Sequence, residues 1–277
     1  MATTEPTLTM PVPSSSSPSP GSPGRRILIG IGTILVVGLI LGGAFTLIDI
    51  AARHSFDVRA SYAGVQSLEI DDDTGDVRLT SAPEGSRLTV TEHVTQGLVA
   101  PRRAAAFVHG VLRLTTDCRG FDPECRVRYA VAVPTGTPVT ASSGAGTVTA
   151  SHLASARPIL LSSGAGDVIA DNVWSDTSLQ LSSGAGDVSA SRIGSPQLRV
   201  SSGAGDVTAD VSTRIGNLVA RSGAGDVTLH VPFAAYAVHA TSGAGTVTDH
   251  ELSTNPASPR RIDATSGAGD VTITPTG

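Results

Sequence analysis

Lysine is absent from the 277-residue chain, and all 19 of its basic residues are arginine. A phosphate-binding P-loop requires a lysine, so this absence excludes nucleotide hydrolysis of that kind. Aromatic residues are scarce, at 3%, and the net charge is −5. A protein with neither a basic surface nor stacking aromatics is not expected to bind nucleic acid, and we predict no nucleic-acid partner.

Cysteine is almost absent as well. Cys118 and Cys125 stand in "TTDCRGFDPECRVR" and flank a six-residue loop between strand-like runs. A zinc site is not predicted, because no histidine pair accompanies them at ligand spacing. Two unrelated thiols are one interpretation. An oxidising location outside the cytoplasm favours the other, a disulfide between the two residues, and this is our prediction.

Charge is missing from one long stretch, the 22 residues from Ile27 to Ile48. A helix needs about 20 apolar residues to cross a bilayer, so the run predicts one transmembrane helix. Two arginines precede it and an aspartate follows it, which favours a cytoplasmic N-terminus. A cleaved signal peptide is the alternative, although its apolar region is usually only about 7–15 residues long. We predict a single-pass cell-membrane protein with an extracellular C-terminal domain.

Composition divides the chain into four segments. Residues 1–24 contain "PVPSSSSPSPGSPG", a tract that buries too little apolar surface to fold, and they are predicted to be a disordered cytoplasmic tail. The transmembrane signal anchor covers residues 25–50. Residues 55–135 are predicted to be an N-terminal β capping region for the repeats, which occupy residues 136–277.

Glycine, in contrast, is abundant, with 31 residues, and much of it belongs to a Ser-Gly-Ala-Gly run that occurs seven times. Successive copies stand 20, 20, 19, 20, 20 and 24 residues apart. A period near 20 residues is typical of a solenoid or a repeat array. The serines that open the copies are Ser143, Ser163, Ser183, Ser202, Ser222, Ser242 and Ser266.

Alternating apolar positions flank each copy. Apolar side chains stand four and two residues before the serine, with mostly polar ones between, as in a half-buried strand. After Gly-Ala-Gly the parity shifts by one residue, and a valine begins a second alternating run. The copies are therefore predicted to be corners, with glycines that supply positive φ. A phosphate-binding interpretation is disfavoured, because a strand and not a helix follows.

The near identity of the copies favours parallel stacking. Each residue of a parallel stack lies on its equivalent in the next coil, whereas antiparallel hairpins would pair unlike positions. We predict an all-β fold, a parallel β-helix-like β-solenoid of ~20-residue SGAG(D/T)V repeats, preceded by one transmembrane helix. The stretch "VQSLEIDDDTGDVRLT" holds one degenerate copy.

An acidic column follows the corners. Threonine replaces aspartate in two copies, at Thr147 and Thr246. We expect each aspartate to accept a backbone N–H of its own turn, and threonine to do so more weakly. Calcium between coils is the alternative, but one carboxylate per coil supplies few of the ligands it needs. No metal or cofactor is predicted. The turn-capping column is Asp167, Asp187, Asp206, Asp226 and Asp270.

The segments "VQSLEIDDDTGDVRL" and "VRYAVAVPTG", together with the iterated "SSGAGDV" turns, resemble the bacterial putative-adhesin family. The resemblance covers roughly Phe56 to Ile273. It implies an extracytoplasmic β-repeat domain, often membrane-anchored and often of unknown function, and it brings no catalytic residues. The cysteine loop is not part of the family pattern.

Function is predicted to be non-catalytic. Catalysis needs acids and bases that converge in a cleft, and the seven histidines are scattered along the sequence. We predict an adhesion or binding module, or a structural module of the cell envelope, with an unidentified envelope or surface ligand. The alternative is an envelope-stress sensor or regulator that acts through a membrane partner. Weak end-to-end self-association is also predicted, because the last copy, which finishes at Ile273, shows no polar cap.

Overall fold

The computed structural model describes residues 54–96, 100–118, 125–250 and 252–276. The predicted cytoplasmic tail and the predicted anchor, including the run from Ile27 to Ile48, lie outside the described residues. Within the described ranges every regular element is a β-strand. Those ranges contain no helix of the length and apolarity that a membrane crossing requires.

Seven strands precede the first Ser-Gly-Ala-Gly corner, and the other sixteen belong to the repeats and their connections. The first group is β1 (His54–Tyr62), β2 (Ser67–Asp72), β3 (Val77–Ala82), β4 (Leu88–Gln96), β5 (Arg102–Val108), β6 (Val111–Asp117) and β7 (Arg126–Pro134). The second group is β8 (Val139–Ser143), β9 (Val148–Ser151), β10 (Ala154–Ser155), β11 (Ile159–Ser163), β12 (Val168–Asp171), β13 (Trp174–Ser175), β14 (Ser178–Ser183), β15 (Val188–Ile193), β16 (Gln197–Ser202), β17 (Val207–Val211), β18 (Asn217–Ser222), β19 (Val227–Pro232), β20 (Ala237–Ser242), β21 (Val247–Asp249), β22 (Arg261–Ser266) and β23 (Val271–Thr276).

Two long sheets face each other across the core. Sheet 1 has eleven strands in the order β1-β4-β7-β3-β9-β12-β15-β17-β19-β23-β21, and sheet 2 has ten in the order β20-β22-β18-β16-β14-β11-β8-β2-β6-β5. A short third sheet pairs β10 with β13. We call a strand of sheet 2, its corner and the following strand of sheet 1 a rung.

Equivalent residues of neighbouring rungs pair in parallel. Leu161 lies opposite Leu181 in sheet 2, and Val168 lies opposite Val188 in sheet 1. The predicted parallel stacking and the corner between two strands are therefore confirmed, and the fold is all-β and solenoid-like. The antiparallel alternative fails because each repeat strand has its equivalent, and not its own hairpin partner, beside it.

The core is a continuous column of apolar side chains between the sheets. Val207 and Leu218 in the middle rungs are fully buried, while Thr208 points outward and is exposed. The same core cluster runs from Leu68 to Ile273. It crosses the predicted boundary between the capping region and the repeats without a break, because the β2/β3 rung stacks in register on the first repeat rung and the β6/β7 rung stacks on β2/β3.

Rung order in space departs from chain order at both ends. The β2/β3 rung, first in the chain, lies between the β6/β7 rung and the β8/β9 rung. The β22/β23 rung, last in the chain, lies between the β18/β19 rung and the β20/β21 rung. Ile273 therefore belongs to an internal rung, and the prediction that its copy forms the open edge is wrong. The longer 24-residue interval gives the chain the length to double back.

Candidate functional site

The corner serines form a ladder of hydrogen bonds between rungs. All seven donate their hydroxyl to a glycine carbonyl of the neighbouring rung, at 2.7 to 2.8 Å. Ser163, for example, donates to the carbonyl of Gly146 and accepts the N–H of Gly166, both at 2.8 Å. Six of the serines are buried and Ser242 is half-buried, and all seven are tied into the stack, so the repeated motif is a structural corner.

The glycines are required by close approach and not by positive φ. A Cβ added to Gly186 would lie 2.5 Å from the backbone carbonyl carbon of Gly166, and one on Gly205 would lie 2.5 Å from the oxygen of Gly186. Among the corner glycines only Gly269 has a φ in the left-handed range. The predicted reason was therefore wrong, because the constraint comes from the neighbouring rung.

The acidic column caps neighbouring rungs rather than its own turns. The carboxylate of Asp167 accepts the N–H of Asp187 at 2.9 Å, and Asp187 and Asp206 each accept from the next member at 2.8 Å. Asp226 accepts the N–H of Asp270 at 2.7 Å. The own-turn cap that was predicted is wrong in detail, because each of these bonds joins one rung to the next; in the corners of Ser163 and Ser183 the serine accepts the N–H of its own turn.

The end of the column alternates aspartate with threonine. Asp270 Oδ1 accepts both the N–H and the hydroxyl of Thr246, at 2.8 and 3.0 Å. The backbone bond, followed by the hydroxyl bond, lowers the pKa of Asp270. Within the described ranges no group of three or more His, Cys, Asp or Glu side chains lies close enough to hold a metal ion.

Two of the histidines stand in cross-strand pairs. His93 Nδ1 lies 2.6 Å from Asp57 Oδ1, on directly opposed positions of β4 and β1. His230 Nδ1 lies 2.6 Å from the hydroxyl of Thr274, on opposed positions of β19 and β23. Such pairs are an ordinary source of sheet stabilisation.

A disulfide closes the corner of the β6/β7 rung. Cys118 and Cys125 are bonded, with their Cα atoms 5.8 Å apart. The hydroxyl of Thr74 donates to the carbonyl of Cys125 at 3.1 Å, and the N–H of Cys118 donates to Asp73 at 3.3 Å. The bridge stands where the repeats have Ser-Gly-Ala-Gly, and the adjacent corner holds it in place.

Asp72 occupies the serine column of that adjacent corner, opposite Ser143. Its residue is 1% exposed, its Oδ2 accepts the N–H of Gly75 at 2.6 Å, and its buried Oδ1 has no hydrogen-bond partner among the described residues. Burial raises the pKa of Asp72 from 3.8 to about 7, although the Gly75 bond opposes this. Sequence reasoning missed this residue, and the available signal was an acid at a corner-serine position.

The outer face of sheet 2 is the surface that varies from rung to rung. Successive in-register residues there differ in charge, size and polarity, whereas the inward columns repeat. Seven strands at about 4.8 Å spacing give this column a length of roughly 29 Å. The sheet 2 outer column, in spatial order, is Thr140, Leu160, Gln180, Arg199, Val219, Asp263 and His239.

The column ends at a cleft of about 900 Å³ around the edge strand β20. Val219, His239 and Asp263 of the column line it, together with Arg261 and Asn255. The sequence did not predict this cleft, because it depends on the exchanged order of the last two rungs.

Comparisons with known proteins identify one family and several distant solved structures. The family model described as Toastrack DUF4097 matches residues 134–274. No curated protein matches the chain. A putative cell adhesion protein from Clostridium sporogenes ATCC 15579 is 13% identical, with a TM-score of 0.36, and the alignment covers 80% of this chain and 100% of that one. A putative adhesin from Bacteroides fragilis NCTC 9343 is also 13% identical, with a TM-score of 0.38 and coverage of 80% and 97%.

Proposed function

The chain belongs to the Toastrack DUF4097 family, and we propose that it is a single-pass membrane protein displaying this β-repeat domain outside the cytoplasm as a non-catalytic binding module. Adhesion and a structural role in the cell envelope are the two roles that we propose for this module. The family match agrees with the resemblance to putative adhesins that the sequence motifs carry.

The observation that supports binding is the contrast between the inner and outer columns of sheet 2. Inward positions repeat because stacking demands it, and the corner serines and aspartates are occupied by bonds between rungs. The outer column carries no such constraint and presents Gln180, Arg199 and His239 to solvent. A row of different side chains on a rigid sheet is suited to recognition of an extended ligand, a glycan or a peptide.

Binding is tested with the full chain in vesicles and with isolated cell envelopes as the probe. We expect Arg199→Ala combined with His239→Ala to reduce binding several-fold. The matched control is Thr208→Ala combined with Thr228→Ala, on the outer face of sheet 1. Equal binding by both double variants would remove the sheet 2 outer column from the proposal.

Topology needs a separate experiment. The full chain should remain in the membrane fraction after a carbonate wash, and a C-terminal tag should be accessible to protease from outside. A soluble form that starts near Ala51 would overturn the anchor. An envelope-stress sensor is the alternative function, and it requires a membrane partner because the tail of residues 1–24 contains no recognisable effector motif.

A further inference from the structure

The end of the stack nearest the N-terminus leaves an apolar layer uncovered. Among the described strands, β1 is the edge of sheet 1 and pairs with β4 alone, and β5 is the edge of sheet 2 and pairs with β6 alone. Their inward residues continue the core columns, because most of them lie opposite buried residues of β4 and β6, while Val58 lies opposite the half-buried Glu92. We call these residues the N-terminal end layer: Phe56, Val58, Tyr62, Arg103 and Phe107.

Aromatic contacts hold the two edges of this layer together. The rings of Tyr62 and Phe107 lie 6.1 Å apart, and the guanidinium of Arg103 lies 5.5 Å from the ring centre of Phe56. Arg103 also donates to Glu92 at 2.6 Å. The layer is thus organised, and its single cation is placed over an aromatic ring.

The layer is nevertheless open to solvent. Phe56 is 41% exposed, Val58 37% and Phe107 43%. Together they form a clustered apolar surface at one end of the domain. Surfaces of this kind on soluble proteins usually mark a site of interaction with another protein or a membrane.

The connection to the rest of the chain identifies the occupant. β1 begins at His54, five residues after the uncharged run from Ile27 to Ile48. Five extended residues span at most about 18 Å. If that run crosses the bilayer, as the proposed function holds, β1 starts at the membrane surface. Aromatic rings and arginine, with its apolar stem, are the side chains that suit the membrane–water interface.

We propose that the N-terminal end layer docks on the bilayer interface, so that the stack stands on the membrane by its aromatic end. This inference rests on the proposed single-pass topology. The opposite end has a different chemistry, since Val247 and the acidic Asp249 occupy the inward positions of its edge strand β21. Among the described residues, this end lacks the aromatic rings of the N-terminal end layer and places a carboxylate at its edge, so the aromatic end fits the membrane interface better.

The experiment compares two proteins, each with a single tryptophan that replaces an exposed phenylalanine. The full chain carries Trp174→Phe, which removes its single native tryptophan, and either Phe107→Trp or the matched control Phe233→Trp. Phe233 is 58% exposed and follows the β18/β19 rung, seven strand spacings or about 34 Å from β5 along sheet 2. The protein is reconstituted into phosphatidylcholine vesicles with bromine in the upper acyl chain, which quenches nearby indole fluorescence.

Docking predicts that brominated lipid quenches the Phe107→Trp protein several-fold more than the Phe233→Trp protein. Equal quenching of both, or quenching of neither, overturns the docking while the protein remains in the vesicle fraction. Protection of Phe107→Trp from aqueous iodide without quenching by bromine also overturns it, and shows that a second copy or residues 1–53 cover the layer. Release of the protein by carbonate instead refutes the anchor, and is a separate result.

Discussion

The two ends of the stack differ in how their edge strands are protected from pairing with another chain. Three antiparallel strands, β1, β4 and β5, are added at the N-terminal end, and a disulfide closes the outermost corner there. The C-terminal end adds no strand to the β20/β21 rung within the described residues. There the edge strand β21 is only three residues long, and Asp249 points inward where the other rungs have Ala, Leu or Ile.

At one end the edge strands of the outermost rung are covered by added strands, whereas at the other end features of the edge strand itself oppose pairing. A short edge strand and an inward-pointing charge are known ways to prevent another chain from pairing with an edge. The C-terminal edge strand is therefore protected against pairing with another strand, whereas the N-terminal end presents aromatic rings. The interior rungs have a neighbouring rung on both sides, so the same substitution should change the stability of the domain more there than at an end.

The largest effect on stability is expected when the same substitution is made in one apolar column, once in the middle of the stack and once at its end. Val207 and Val247 stand in the same column, but Val207 is fully buried and Val247 is 44% exposed. Val207→Asp buries an unpaired carboxylate, which costs several kcal/mol or more, so we expect loss of cooperative unfolding. Val247→Asp should be mild. Denaturant melts of residues 54–277 measure both, and equal tolerance would contradict the difference between interior and end.

The next effect concerns the N-terminal end and pH. Asp72 stays protonated in the folded protein up to about pH 7, while the unfolded carboxyl ionises near its ordinary pKa of 3.8. The stability it contributes is therefore complete below about pH 4 and is lost as the pH rises through 7. At about 1.36 kcal/mol per pKa unit this amounts to at most roughly 4 kcal/mol.

Asp72→Asn removes this dependence, because the amide does not ionise. The difference in unfolding free energy between wild type and variant should favour wild type at pH 4 and shrink or reverse by pH 8. Asp72→Ser restores the serine column and should behave in the same way. Parallel curves for all three proteins would show that Asp72 is ionised throughout.

The disulfide should contribute less to the free energy of unfolding than the protonated Asp72 does. In the chain-entropy model, closing the short loop between Cys118 and Cys125 stabilises by about 2–3 kcal/mol. We expect the double variant Cys118→Ser/Cys125→Ser to lose this amount, and reductant to affect wild type but not the variant. Peptide mapping without reductant checks the pairing. Two free thiols in exported protein would argue against both the bridge and the external location.

The C-terminal edge gives a smaller effect, on association. Asp249→Leu restores the apolar column, and burial of a leucine side chain is worth about 1.5–3 kcal/mol. We expect the self-association constant to rise about tenfold to a hundredfold, measured by sedimentation. Thr248→Leu, on the outer face of the same strand, is the control. A strictly monomeric Asp249→Leu protein at high concentration would remove self-association at this edge from consideration.

Local patterns predicted much of this fold. The alternation around Ser163 and Val168 gave the strands, their parity and the parallel register, because each depends on neighbours in sequence or on an equivalent residue one period away. The exchanged rungs at the ends depend on long-range pairing, for which the 24-residue interval was the only signal. The roles of the corner glycines and aspartates were misjudged for a related reason, since their partners lie in the next rung.

The smallest effect is expected in the acidic column. Asp206 lies between Asp187 and Asp226, and strands about 4.8 Å apart leave each carboxylate pair repelling by roughly 0.9 kcal/mol in water. Asp206→Asn keeps the oxygen that accepts the N–H of Asp226, removes both repulsions and weakens one charge-assisted bond by about 0.5–1.5 kcal/mol. These effects nearly cancel, so the unfolding free energy should change by less than about 1 kcal/mol, and high salt, which screens the repulsions, should shift the change towards destabilisation. Millimolar calcium should leave the melting midpoint of both proteins unchanged. A midpoint that rises with calcium in wild type, but not in Asp206→Asn, would instead make the column a metal site.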